Sequence, residues 1–267
     1  MKIVIYGLSI TSSWGNGHAT TYRSLAKALA RRGHQVHFVE KDLEWYRSNR
    51  DLPEPEFCKL HLYDHWSTSA AALLRLSRDA DAIVIGSYFP DSMAAIQGLS
   101  NAGCGPLLFY DIDTPITMSA LRRTGRTSYL NAAMIPALSC YLSFTGGPVL
   151  RELEEQFGAK RAVAFYCSVD PDVHQPALPR AEYRCDLSYL GTYAHDRQEK
   201  LMKLLNEPAR RLIYSQFIVA GAQYPDDIEW MRNVKREVHL APPEHPALYS
   251  SSRFTLNLTR GEMVRAG

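Results

Sequence analysis

Ile3-Val4-Ile5-Tyr6-Gly7, followed by Thr11-Ser12-Ser13-Trp14-Gly15-Asn16-Gly17-His18-Ala19-Thr20-Thr21-Tyr22, is the stretch that decides how this chain folds. The first five residues form a compact apolar run of β type. The polar, glycine-bearing loop opens onto a pattern in which Tyr22, Leu25, Ala26, Leu29 and Ala30 recur at helical spacing. Gly33 behind Arg31-Arg32 marks the end of that helix, and residues 35–40 read as the next strand. Strand, glycine loop, helix and strand in this order open a parallel α/β sheet. The functional loops of such a sheet gather at the carboxyl ends of its strands.

The alternation continues outward. Further strands are expected near 57–62, 82–86, 107–111, 140–144 and 162–166, with helices near 67–78, 91–101 and 148–157. Residues 168–179 hold three prolines in twelve positions and no periodicity, the composition of a linker. Beyond it, 186–190, 216–220, 235–240 and 254–258 read as strands and 197–205 as a helix. The expected fold class is therefore α/β with two Rossmann-like domains, 1–168 and 186–267, joined through 169–185. About seven strands fall in the first domain and four in the second. With nothing to cover its last strand, the second reads as incomplete.

Composition excludes several classes of function. With 46% hydrophobic and 22% charged residues in 267, the chain is globular rather than disordered. Thirty Lys and Arg against 28 Asp and Glu leave +2, too balanced for a nucleic-acid-binding surface. No apolar run is long enough for a membrane span. The five cysteines (Cys58, Cys104, Cys140, Cys167, Cys185) are scattered without a CxxC pair, which argues against a zinc ribbon, a redox centre or a disulfide framework. The expected location is cytoplasmic.

Gly15 and Gly17 suit close backbone approach to an anion at the start of a helix. The spacing is not that of a dinucleotide fingerprint, since they come eight or more residues after Gly7 and Thr20 holds the third glycine position. Glu40, about 20 residues further on, keeps a ribose-binding reading open. No GxxxxGK[ST] occurs. His18 enters the helix where an imidazole can take a proton from a hydroxyl, or merely pack the turn. Asp111-Ile112-Asp113 is formally a DxD, readable as a metal–diphosphate motif, as an acceptor ligand or substitute base, or as a turn before Thr114-Pro115.

Gly15-Asn16-Gly17-His18, then Leu25-Ala26-Lys27-Ala28-Leu29 and Arg31-Arg32-Gly33-His34-Gln35-Val36, resembles the N-terminal region of GT-B glycosyltransferases. With Phe109-Tyr110-Asp111-Ile112-Asp113-Thr114-Pro115 and Tyr166-Cys167-Ser168-Val169-Asp170-Pro171, the chain looks most like their CgeB-like (spore maturation protein-like) branch. The resemblance implies an acceptor-side first domain and a donor-side second one. The implied reaction is metal-independent transfer of a sugar from a nucleoside diphosphate to an acceptor that the sequence leaves unidentified, with the nucleotide sugar as co-substrate and no further cofactor.

It also implies roles for particular residues. His18 becomes the base or acceptor contact, with Asp111 and Asp113 as lesser candidates, and Gly15 and Gly17 become the loop floor. Gly191 at the end of the next domain's first strand, with Arg197 and Lys200 on one helix face, would hold the diphosphate. The chain stops before the stretch in which relatives carry a ribose-binding Glu, so a truncated donor domain is expected. Two other readings stay open: a nucleotide-sugar epimerase of the same architecture, and a non-catalytic binding or assembly protein retaining mainly the first lobe.

Overall fold

The structure, a computed structural model, describes residues 1–266. These form two compact units, one of Met1–Ser12 with His18–Ser168, the other of Ser13–Gly17 with the chain from Val169 on. Each contains one wholly parallel sheet.

The first unit runs β1 (Lys2–Gly7), α1 (His18–Arg31), β2 (Gln35–Lys41), α2 (Glu44–Arg47), β3 (Lys59–Tyr63), α3 (Trp66–Ser77) and β4 (Ala82–Gly86). It continues through α4 (Ser92–Asn101), β5 (Leu107–Asp111), α5 (Thr114–Thr124), β6 (Cys140–Ser143), α6 (Pro148–Glu155) and β7 (Ala162–Ala164). The seven strands lie in the order β3-β2-β1-β4-β5-β6-β7. The order reverses at β1, which pairs with β2 on one side and β4 on the other. A crevice opens at such a switch point, outside the carboxyl ends of the strands.

β1 shows why the apolar runs are continuous rather than alternating. Val4 and Tyr6 pack into the core beneath one layer of helices, and Ile3 and Ile5 into the core beneath the other. A strand covered on both faces needs apolar side chains at every position. Residues 114–124, which are not among the helices expected from the sequence, form α5. Two of its buried positions are Thr114 and Thr117, so threonines interrupt the apolar stripe of Met118 and Leu121 and hide the helical period. Pro115 suits the first turn and Gly125 at φ 71 ends it.

In the second unit, β8 (Cys185–Leu190), α7 (His195–Leu201), α8 (Glu207–Arg211), β9 (Phe217–Ala220), β10 (Val234–Glu237), α9 (His245–Ser251), β11 (Ser252–Leu256) and α10 (Gly261–Ala266) follow one another. Their strands lie in the order β10-β9-β8-β11, again with the first strand of the unit at the reversal. A π-helical turn, Met202–Asn206, links α7 to α8. Asn206 there donates to the Glu229 carbonyl and accepts from the Met231 amide, at 3.0 Å each. The strand counts of seven and four are those expected from the sequence.

Candidate active site

The first unit's switch point is built on a buried carboxylate. Glu40, at the end of β2 beside Gly7, has no solvent exposure. It accepts hydrogen bonds from the Ile10 and Thr11 amides (2.7 and 3.1 Å) and from the Ser9 and Thr11 hydroxyls (2.8 and 2.6 Å). All its acceptor capacity thus goes to the loop after β1, and none is left for a ribose, which removes the dinucleotide reading. Arg23 holds the same loop through the Ile10 carbonyl (2.8 Å), and Arg50 through the Thr11 hydroxyl (3.1 Å). Ser12 donates to the Asn49 carbonyl (2.7 Å). The loop is pinned where it leaves the strand.

His18 is the first residue of α1, and its Nε2 lies 4.0 Å from an Asp113 carboxylate oxygen. Each side chain keeps 15% of its surface exposed. Burial lowers the imidazole's affinity for a proton, and the Asp113 charge opposes that shift. The result is an imidazole that is neutral near pH 7, with a carboxylate placed to stabilise it once protonated. Tyr22, one helical turn on, meets the ring at 6.5 Å between centroids, and Tyr88, just past the end of β4, at 5.3 Å. Asp113 caps α5 through its carbonyl, which accepts from the Ile116 and Thr117 amides (2.9 and 3.1 Å).

Asp111 behaves differently from Asp113 although they are two residues apart. It is fully buried and takes hydrogen bonds from the Tyr141 hydroxyl (2.5 Å), the Thr117 hydroxyl (2.9 Å) and the Asp113 amide (3.2 Å). Burial raises its pKa to about 6, against the pull of those donors. A side chain enclosed in this way braces β5, β6 and α5 from within and has no reach to a substrate. Among the described residues, no group of three or more His, Cys, Asp or Glu is disposed to hold a metal ion.

Gly15 adopts φ 60, and Gly17 has open space where a side chain would begin. In the second unit, Gly191 follows β8, and the Arg197 guanidinium donates to the neighbouring Thr192 carbonyl at 2.7 Å. The Arg197 Nε is buried without a hydrogen-bond partner among the described residues. The Lys200 ammonium donates to the Thr259 carbonyl (3.4 Å), past the end of β11, which pairs with β8. Asp196 accepts from the Gly261 amide at 2.9 Å. Burial pushes its pKa up, but that bond and the charges of Arg260 and Arg197 outweigh it, and the carboxyl stays below its ordinary value. Gly221, at φ 146, lets β9's end pass so close to β8's that an added Cβ would lie 2.0 Å from the Gly191 carbonyl oxygen. Sequence reasoning missed Glu40 as a brace and Tyr88 altogether. A tyrosine where a turn favours glycine becomes visible only once the turn is known.

Residues 197–266 match the model of a family described as glycosyl transferase-like. No curated protein matches the sequence significantly. Among solved structures, an α-glucosyltransferase in complex with UDP and a 13-mer DNA superposes at a TM-score of 0.63 with 14% identity, over 96% of this chain and 71% of that one. The catalytic domain of starch synthase IV from Arabidopsis thaliana, bound to ADP and acarbose, gives 0.62 and 12%, over 95% and 77%. Anabaena HepE in complex with UDP-glucose gives 0.61 and 12%, over 96% and 73%. The fold is GT-B. In the GT-B frame the reversal of strand order in each sheet, at β1 and at β8, falls where ligands bind in open parallel sheets. Among the described residues no helix is long and apolar enough to cross a membrane.

Proposed function

We propose that the protein is a CgeB-like glycosyltransferase that moves a sugar from a nucleoside-diphosphate donor to an acceptor hydroxyl without a metal ion. The observation that carries this reading is the His18–Asp113 pair at the first unit's switch point. A neutral imidazole beside a carboxylate is suited to draw the proton from an attacking hydroxyl and to be stabilised as the imidazolium that results. Residues 1–168 are read as the acceptor side and 186–267 as the donor side, with 169–185 between them. On the donor side, Arg197 with its buried Nε, Lys200 and the Gly191 loop would meet the diphosphate. Five free cysteines, none paired, suit a cytoplasmic setting.

Calorimetry with UDP-, GDP-, ADP- and dTDP-sugars, followed by assay of nucleoside diphosphate released to a panel of hydroxylated acceptors, tests this. At least one donor is expected to bind, and Arg197→Ala to weaken it roughly tenfold. His18→Ala should leave donor binding within about twofold while transfer falls by at least about a hundredfold. Heat from none of the donors refutes the proposal.

A further inference from the structure

The turn that ends β4 is closed by the Phe89 amide donating to the Gly86 carbonyl at 3.2 Å, so Ser87 and Tyr88 are its central residues. Tyr88 has φ 64, whereas Ser87 is not among the residues of positive φ. That combination is a type II turn, whose third residue is ordinarily glycine or asparagine. A tyrosine there is strained, and strain of this kind persists where the surroundings over-determine it, often at functional sites.

The surroundings are specific. Ser87 anchors the turn, donating its amide to the Tyr110 carbonyl (2.8 Å) and accepting from the Ile112 amide through its hydroxyl (3.0 Å). The Tyr88 ring centroid lies 4.7 Å from that of Tyr129 and 5.3 Å from that of His18. Tyr129 is itself fixed by a 2.7 Å hydrogen bond to Thr117, which donates to the buried Asp111. A chain of packed groups therefore runs from Asp111 through Thr117, Tyr129 and Tyr88 to the His18 imidazole. We propose that Tyr88 is a positioning residue: its left-handed backbone clamps the ring against His18, holding the imidazole toward Asp113 and out of water. This rests on the role given above to His18. Among the groups facing that imidazole are Asp113 ahead of α5, Tyr22 from α1 and Tyr88 itself, with Cys167 close to Tyr22 and Asp113. Shielding by these rings agrees with the lowered proton affinity of His18.

The test is NMR titration of the His18 ring in the full chain carrying Tyr88→Gly, Tyr88→Asn or Tyr88→Phe. Glycine and asparagine accept the turn's backbone and remove the ring, while phenylalanine keeps it. Should glycine leave the protein unfolded, the asparagine variant carries the comparison. The His18 midpoint is expected to climb toward 6.5, its ordinary value, in the glycine and asparagine variants and to stay in place in the phenylalanine variant. With a donor and acceptor in hand, kcat should fall roughly tenfold in the first two variants and less than about twofold in the third. An unmoved midpoint in folded Tyr88→Gly or Tyr88→Asn overturns the inference, as does a moved midpoint with unchanged kcat. If the unaltered protein transfers no sugar, the transferase reading fails separately, and the titration alone decides whether Tyr88 holds the ring.

Discussion

Replacing Glu40 probes the joint on which the first unit's site hangs. The carboxylate is fully buried and accepts four hydrogen bonds, two from backbone amides and two from hydroxyls. Glu40→Ala leaves the Ile10 and Thr11 amides without an acceptor in a space closed to solvent and opens a cavity. Each orphaned buried donor costs about 1–3 kcal/mol, and loss of a buried charged network about 3–5 kcal/mol in all. Glu40→Gln is graded differently. Its oxygen can serve the two amides, because those groups only donate, and its NH2 then faces the Ser9 and Thr11 hydroxyls. Those hydroxyls already accept from the Ser12 amide (3.0 Å) and the Arg50 Nε (3.1 Å), so each loses an outlet for its proton. The glutamine variant should therefore lose about 1–3 kcal/mol. At about 2–4 °C per kcal/mol for a unit of this size, thermal unfolding followed by circular dichroism should fall roughly 10 °C for alanine and about half that for glutamine. Equal losses in the two variants, or a loss under about 2 °C for alanine, would refute the view of Glu40 as the loop's anchor.

Three further outcomes follow from the same geometry. Asp111 has a folded pKa of about 6, above its ordinary 3.8, so the folded state holds the proton more tightly and the stability this contributes is lost as pH rises through 6. Urea unfolding of wild type against Asp111→Asn should favour wild type by about 2–3 kcal/mol more at pH 4 than at pH 7.5, and a pH-independent difference defeats that assignment. The Tyr22 hydroxyl is buried without a hydrogen-bond partner among the described residues and lies 1.7 Å from where a Cβ on Gly86 would sit. Tyr22→Phe should be neutral or stabilising by about 1 kcal/mol and Gly86→Ala destabilising by about 2–3 kcal/mol, with the double variant recovering at least half of that loss in chemical denaturation. Gly221→Ala has no such rescue, because the clash is with the Gly191 backbone, and a melting temperature within about 2 °C of wild type would contradict the close approach of β8 and β9.

Much of the fold was legible because its signals are local. Continuous apolar runs mark strands buried on both faces, and three-four spacing marks α1, since each follows from the geometry of one element. Where local signals mix, reading failed: Thr114 and Thr117 lie on α5's buried face, and residues 114–124 were not read as a helix. The candidate site was legible in part. His18 stood out as an imidazole at a strand-to-helix loop, while nothing in Asp111-Ile112-Asp113 distinguished its two carboxylates.

The residue order by itself determined that this chain would build two parallel sheets with loops at their strand ends, because hydrophobic periodicity is a property of neighbours along the chain. Only the tertiary structure decided which Asp meets His18, that Glu40 serves a loop instead of a ribose, and that a tyrosine occupies a glycine's turn beside the imidazole. Those outcomes depend on β1 lying between β2 and β4, with β5 beyond, which brings together positions from 18 to 113. Strand order is a long-range choice among packings, and no short window of sequence encodes it.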